Sequence, residues 1–552
     1  MVETLAIAVA QLDPTVGDVA GNMALVRRAR ERAAGLGADL VVLSELFAVG
    51  YPPEDLVLKP ALQQAVEAAV AELAPATATG PAVILGSPWR DDGRLYNAAL
   101  LLAEGRLAAV RFKCELPNYG VFDEKRVFVA GPPPEPVPFR GARLGLLICE
   151  DMWTPRVAAQ LGRTGADLLI AINGSPYELD KADERLDIAA ARVREVRLPL
   201  AYVNQTGGQD ELVFDGGSFV VNADAGVAVR LADWREEVAA TAWRRGPGGW
   251  ACEAGEMAAP PGRIEGVYQA MTVGLRDYVR KNRFPGVLLG LSGGIDSALT
   301  AAVAVDALGA GRVRGVLMPS RFTSEASVAD AAECAERLGI GLLVLPIEPA
   351  VGAFAEMLAE PFEGRPRDAT EENIQARVRG TLLMALSNKF GDMLLTTGNK
   401  SEMSVGYATL YGDMAGGYSV LKDVYKTMAY ELARWRNRNV PPGGLGPSGP
   451  VVPDNVLTKA PSAELAPDQR DEDSLPPYGV LDDVLECLVE REMTIDEIAA
   501  RGHERDLVKR VEHMLYVAEY KRRQAPPGVK ITRKSFGRDR RYPITNAFRD
   551  KR

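Results

Sequence analysis

The sequence predicts an α/β protein of two domains, a mixed α/β domain followed by a doubly wound parallel sheet. Three observations carry this expectation. At 552 residues the chain is long for a single hydrophobic core. In its first half short apolar runs alternate with helical stretches, and two of the runs, 97–103 and 107–112, are joined by Glu104-Gly105-Arg106 in the manner of a hairpin. In its second half an apolar strand at 287–291 leads through Ser292-Gly293-Gly294-Ile295-Asp296-Ser297 into an alanine-rich helix. Strands at 313–318 and 341–346, with a helix over 324–338 between them, extend this to a βαβαβ pattern. Such a pattern implies right-handed crossovers and a ligand at the C-terminal ends of the strands.

Composition narrows the class. Apolar residues make up 47% and charged residues 25% of the chain, ordinary values for globular protein. No apolar stretch reaches about 18 residues and the first residues carry no basic leader, so a cytoplasmic protein without a membrane span is expected. The net charge of −10 argues against a nucleic-acid surface but leaves room for a local basic pocket that takes anionic substrates. Five cysteines without a Cys-x-x-Cys pair give neither a disulfide framework nor a zinc site. Both histidines, His503 and His513, come late in the chain, which disfavours Cys-His chemistry in the first half.

Taken in order, the first domain offers a strand at 5–12, an amphipathic helix at 22–36 and a strand at 39–43. Further strands are expected at 82–86, 97–103, 107–112, 144–149 and 168–173, with helices near 156–161 and 180–196. Glu45, Lys113 and Cys149 each stand at the C-terminal end of an apolar strand, where α/β proteins place chemistry. Singly, each has a plainer reading: a surface acid, a surface lysine, and a small buried hydrophobe. Their contexts are more specific. Glu45 lies in Ser44-Glu45-Leu46-Phe47, followed by Gly50-Tyr51-Pro52-Pro53. Lys113 opens the run Lys113-Cys114-Glu115-Leu116-Pro117-Asn118-Tyr119-Gly120-Val121-Phe122-Asp123-Glu124, and Cys149 sits in Leu147-Ile148-Cys149-Glu150-Asp151-Met152-Trp153.

These contexts resemble the nitrilase superfamily, most closely its glutaminase branch. The resemblance implies an αββα sandwich and a Glu-Lys-Cys triad that hydrolyses amides through a thioester. In it Cys149 is the nucleophile, activated as a thiolate by Glu45 and Lys113. Glu45 carries the proton to the leaving ammonia and activates the hydrolytic water. Lys113, with the backbone N–H of Glu150, stabilises the tetrahedral oxyanion. Glu124 matches a second carboxylate that positions the site, and Tyr119, Ser175 and Lys181 match positions that hold glutamine, Lys181 at its α-carboxylate. Cys114 is the rival thiol, but nothing else in the motif needs one there.

Pro247, Gly248, Gly249, Pro260, Pro261 and Gly262 read as a linker, giving domains at 1–250 and 263–552 around a connection at 251–262. A helix over 264–281 leads into the glycine turn. At that turn the free N–H groups and positive dipole end of the following helix attract anions. Gly293 and Gly294 have no Cβ to hold a phosphate away, and Asp296 or Ser297 can cap the helix. No Lys-Ser/Thr pair follows, so this is not a Walker A loop, and Asp296 suggests Mg²⁺. A helix follows from Glu371-Glu372-Asn373 to about Phe390. The next strand ends in the polar cluster Thr396-Thr397-Gly398-Asn399-Lys400-Ser401-Glu402. The glycine-rich stretch 406–417 reads as a mobile lid, a helix is expected to start at Lys422-Asp423-Val424-Tyr425-Lys426, and 441–450 reads as a flexible loop.

The Ser-Gly-Gly-Ile-Asp-Ser loop resembles that of ATP pyrophosphatases. With Pro461-Ser462-Ala463-Glu464-Leu465, Ser474-Leu475-Pro476-Pro477-Tyr478 and the basic tail from Lys521, the second half resembles the NAD synthetase family. That resemblance implies ATP and Mg²⁺, adenylation of the nicotinate carboxylate of deamido-NAD, and attack by ammonia. Gly290, Leu291, Ser292, Gly293, Gly294, Ile295, Asp296, Ser297 and Thr397 then contact ATP, Asp296 and Glu402 hold magnesium, and Asn373, Glu402 and Lys521 contact deamido-NAD. The tail over 521–541 reads equally well as a solvated basic end.

Ammonia is mostly protonated in neutral water. Delivering it inside the protein from an amidase to an acyl-adenylate avoids both protonation and loss, a physical reason for the fusion. It predicts a closed passage and a homo-oligomer that completes it. Glutamine, ATP and deamido-NAD are the expected substrates. Another glutamine-fed amidating enzyme with an ATP-pyrophosphatase loop is a second reading. A GMP synthetase is disfavoured because no histidine precedes residue 503, and asparagine-synthetase-like chemistry because Val2 holds the second position. A third reading makes the first domain a silent scaffold for an ammonia-fed synthetase, against which Glu45, Lys113 and Cys149 all stand.

Overall fold

A computed structural model describes residues 4–550 and resolves into two compact units, one ending at Pro261 and the other starting at Gly262. The first unit has four layers, helix on sheet on sheet on helix. One sheet runs in the order Gly249–Cys252, Glu237–Gly246, Thr4–Gln11, Leu40–Val42, Ala82–Asp91, Arg94–Ala103, Arg106–Phe112. The other runs Val227–Arg230, Phe219–Val221, Leu200–Asn204, Leu168–Asn173, Ala142–Ile148, Val137–Phe139. The apolar runs are nearly continuous because both faces of each strand are covered. Along Thr4–Gln11, Leu5, Ile7 and Val9 face the second sheet, while Ala8 and Ala10 face the helix layer.

The helix Val19–Gly35 covers that outer face with Met23, Val26, Ala29 and Ala33, spaced at three and four residues. Asp18 starts it by accepting from Gly21 N at 2.9 Å. On the opposite side Pro155–Arg163 and Lys181–Val196 bury Val157, Leu161, Ala189 and Val193 against Leu147, Leu169 and Ala171. Pro247 and Gly248 make the turn between Glu237–Gly246 and Gly249–Cys252, so this cluster, which reads as linker in the sequence, closes a hairpin of the first sheet.

In the second unit five strands, all parallel, lie in the order Gly341–Val344, Val313–Leu317, Val287–Gly290, Met393–Thr396, Tyr418–Ser419. The chain moves outward from the central strand in one direction, then returns to its other side. That reversal opens a crevice at the C-terminal ends of Val287–Gly290 and Met393–Thr396. The helix expected from Lys422 begins at Lys426 and runs to Arg438. After it the chain is helical, and Leu481, Val484, Ile495, Ile498, Val508 and Val511 form a separate apolar cluster with Val405 and Tyr425. Among the described residues no helix is long and apolar enough to cross a membrane.

Candidate functional site

Two constellations form, one in each unit. In the first, the strand ends bring Glu45, Lys113 and Glu124 into one buried cluster. The Lys113 ammonium donates to Glu45 Oε1 and to Glu124 Oε1, both at 2.7 Å. Asn97 Nδ2 also donates to Glu45 Oε1 at 2.7 Å, and Gly174 N donates to Glu45 Oε2 at 2.9 Å, so the base is held on three sides. Tyr51 Oη donates to Glu124 Oε1 at 3.2 Å. Burial alone would discharge Lys113, but Glu124 and Glu45 overcome it and hold its proton well above the usual range. Glu124 is pushed up to about 7, by burial first and by Glu45, with Lys113 opposing.

Cys149 follows the strand Ala142–Ile148 with a positive φ of 46°, a conformation rare for a side-chain-bearing residue and concentrated at functional turns. Asp151 fixes this turn to the strand end that carries Lys113: its Oδ1 accepts from Cys114 N at 3.0 Å and Glu115 N at 2.8 Å, its Oδ2 from Ile148 N at 3.1 Å. The thiol is not a resting thiolate, contrary to the expectation above. Burial and then Glu45 push the Cys149 pKa well up, and Lys113 only partly opposes them. Sulfur must therefore lose its proton to a base during attack. Cys114 points elsewhere, its Sγ on Pro132 O at 3.1 Å, with its thiol pushed up to about 12 by burial and Asp151.

The expected glutamine-holding residues surround this turn. Ser175 is pinned by Arg185, whose Nε donates to Ser175 Oγ at 3.1 Å while its guanidinium grips both oxygens of Asp215 at 2.7 and 2.8 Å. The Lys181 ammonium lies 5.6 Å from the Phe122 ring centre and 5.8 Å from that of Trp153. Tyr119, exposed, donates to Glu150 Oε2 at 2.9 Å.

In the second unit a cleft of about 350 Å³ lies at the sheet reversal. Gly290, Leu291, Ser292, Gly294, Ile295, Asp296, Ser297, Thr397 and Glu402 all line it. Gly293 serves differently from the expected phosphate approach. At φ +79° its missing Cβ would fall 2.2 Å from Ser327 O, so backbone fills that space. Nor do Asp296 and Ser297 cap the helix. Gly294 is the N-cap, and Ser297 Oγ ties the loop by donating to Gly294 O at 3.0 Å and accepting from Ser292 N at 3.2 Å.

Asp296 and Glu402 share one cation, the Lys426 ammonium, at 2.5 Å from Asp296 Oδ2 and 3.1 Å from Glu402 Oε1. Asn399 links the strand ends, donating to Asp296 Oδ1 at 3.1 Å and accepting from Glu402 N at 3.0 Å. Burial pushes Glu402 up to about 7, Lys426 opposing and Asp296 adding to it. A lysine bridging two carboxylates shows that this spot favours positive charge. Among the described residues no group of three His, Cys, Asp or Glu gathers for a metal. Two carboxylates suit Mg²⁺ that takes its other oxygens from phosphates and water.

Asn373 and Lys521 are not among the residues lining the cleft. Both grip the glycine-rich stretch: Thr409 Oγ1 donates to Asn373 Oδ1 at 2.8 Å, and Lys521 Nζ donates to Gly406 O at 2.7 Å and Ala408 O at 2.6 Å. Lys426, Asn399, Asn97 and Tyr51 are the residues that sequence reasoning left without roles. Asn399 stood in the polar cluster after Thr397, and Lys426 at an expected helix start, but pairing with Asp296 spans the whole sheet.

Comparison with known proteins agrees with this division. The model of the carbon-nitrogen hydrolase family matches residues 6–246, and that of NAD synthase matches residues 267–525. A glutamine-dependent NAD(+) synthetase of Rhodobacter capsulatus is 50% identical over 550 residues, covering 100% of both chains. One from Thermotoga maritima is 42% identical over 583 residues, covering 99% of each. Among solved structures, a glutamine-dependent NAD+ synthetase from Acinetobacter baumannii in complex with ADP superposes with a TM-score of 0.79 at 41% identity, covering 100% of both chains. One from Cytophaga hutchinsonii, at 22% identity and a TM-score of 0.82 over 99% of this chain and 98% of that one, shares the fold. With such identity along its whole length, the chain belongs to the glutamine-dependent NAD(+) synthetase family of carbon–nitrogen ligases.

Proposed function

We propose that the chain makes NAD from deamido-NAD, ATP and glutamine, with Glu45, Lys113 and Cys149 releasing the ammonia and the Asp296–Glu402 cleft consuming it. The shared buried cluster of Lys113 with both carboxylates is the observation that carries the first half of this reading. Glu45 takes the Cys149 proton as sulfur attacks the carboxamide carbon, and gives it to the departing ammonia. The Lys113 ammonium and the backbone N–H of Glu150 stabilise the oxyanion, and Glu45 then activates the water that hydrolyses the thioester. Tyr119, Ser175 and Lys181 hold the glutamine.

In the cleft the nicotinate carboxylate attacks the α-phosphorus of ATP, pyrophosphate leaves, and ammonia displaces AMP from the acyl-adenylate. The loop from Gly290 to Ser297, with Thr397, holds the nucleotide. Asp296 and Glu402 would hold Mg²⁺, which neutralises phosphate charge when bound. Asn373, Glu402 and Lys521 contact deamido-NAD, the first and last through the stretch they clamp at 406–412. We assign residues 1–250 and 263–552 to the two activities, with 251–262 joining them, in a cytoplasmic enzyme. Supplying deamido-NAD, ATP and Mg²⁺ with glutamine should yield NAD, AMP and pyrophosphate. Release of ADP and phosphate would sink the pyrophosphatase reading.

The proton shared by the Glu45–Glu124 pair sets a pH dependence. As pH falls through about 7, the value to which Glu124 is pushed, the pair takes up a proton and the base is lost. Glutamine hydrolysis should therefore fall on the acid side of about 7. In Glu124→Gln that limb should move to lower pH, because Lys113 then faces one carboxylate instead of two.

A homo-oligomer is part of the proposal. The helix Glu348–Met357 buries none of its residues, and Phe354 and Met357 on it are exposed together with Met384 and Phe390 of Ala369–Phe390. A second copy covering this apolar face would remove it from water. A solution mass of at least twice the chain's 59.3 kDa is the expected measurement.

A further inference from the structure

Free glutamine carries an α-ammonium as well as an α-carboxylate, and a site that selects it over simpler amides needs an acceptor for that ammonium. Lys181 supplies a cation, and Tyr119 and Ser175 supply hydroxyls, but none of the three is an anion. Next to the nucleophile stands a carboxylate that the hydrolytic steps do not use, the side chain of Glu150. It is half-buried, and its Oε2 accepts from Tyr119 Oη at 2.9 Å. A carboxylate offers about four acceptor positions, so one phenol leaves room for an ammonium. Tyr119 meets Phe122 edge-on at 5.6 Å, and the Lys181 ammonium lies over the same Phe122 ring. Glu150 and Lys181 are thus held around one aromatic wall at the turn bearing Cys149, an opposite-charge pair suited to a zwitterion. Asp123, the other acid on this wall, is taken by Arg126 at 2.7 Å.

We propose that Glu150 is the specificity-determining acceptor for the α-ammonium of L-glutamine, with Tyr119 orienting its carboxylate. This rests on the glutaminase reading above. Burial holds the Glu150 carboxyl above its ordinary range, Tyr119 and Lys113 opposing, and an incoming ammonium would favour its ionised form. A charge-assisted bond to a half-buried carboxylate is strong enough to separate glutamine from its analogue lacking the amino group.

The test uses the full chain with two amides, L-glutamine and glutaramate, which has the same carboxamide and carboxylate but no α-ammonium. Wild type should favour glutamine. In Glu150→Gln the ratio of kcat/KM for glutamine to that for glutaramate should drop by about 10²-fold, mainly through the KM for glutamine. Tyr119→Phe should lower the same ratio less, because the carboxylate stays and only its orientation loosens. NAD formation from ammonium in each sample serves as the folding control. If Glu150→Gln slows both amides by the same factor, Glu150 acts on the thiol and the proposal is overturned. An unchanged ratio overturns it as well. Should wild type hydrolyse neither amide, the glutaminase reading itself fails and takes this assignment with it.

Discussion

Replacing Cys149 by alanine should abolish glutamine-driven NAD formation, by about 10³-fold or more, while ammonium-driven formation continues. That factor corresponds to roughly 4 kcal/mol of lost transition-state stabilisation, the scale expected when a covalent route is removed altogether. The substitution deletes one buried sulfur. Its cost in stability is on the order of 1 kcal/mol, too small to unfold a four-layered unit. Lys113, Glu45 and Glu124 keep their mutual hydrogen bonds, since none of them depends on the thiol. The measurement is NAD formed from deamido-NAD and ATP with either nitrogen source. If the variant still uses glutamine, the nucleophile has been misassigned, and Cys114, the other thiol beside this cluster, becomes the candidate.

Asp296→Asn should have the complementary phenotype, losing NAD formation with both nitrogen sources while glutamine is still hydrolysed. The amide keeps an oxygen for Asn399 Nδ2, which sits at 3.1 Å, but loses the charge that pairs with Lys426. Lys426 then faces Glu402 alone, and the cleft has one anion fewer with which to hold a divalent cation beside the phosphates. Electrostatic contacts of this kind account for about 10²–10³ in rate. Assaying pyrophosphate release and ammonia release on the same sample separates the two activities. Loss of both would mean that the substitution damages the whole chain and not the cleft alone.

The sequence disclosed most of what is local. Ser292 to Ser297 follows a buried strand and lines the cleft, because strand, turn and helix are consecutive in the chain. Glu45, Lys113 and Cys149 could be chosen because each ends an apolar run. What stayed hidden depends on pairing over distance. Glu237–Gly246 forms a sheet with Thr4–Gln11, and its charged outer positions mask the apolar face in sequence. The raised thiol of Cys149 is a product of burial among carboxylates from other strands, which no linear spacing displays. Gly293 misled for a related reason: the atom that needs its missing Cβ belongs to Ser327. The buried positions of Asn97 and Tyr51 beside the two carboxylates likewise come from separate segments.

The order of the all-parallel sheet bears on how the second unit comes to exist. Its central strand, Val287–Gly290, pairs with Val313–Leu317 soon after synthesis, but its other neighbour, Met393–Thr396, emerges roughly a hundred residues later. During that interval one flank of the nucleotide loop has no partner strand, and Asp296 has neither Asn399 nor Lys426 beside it. Closing such a long loop is slow and must precede any reward from the contacts it creates. The nascent chain is therefore most prone to mispairing while that flank is open, and nucleotide can be captured only once the final strand has docked.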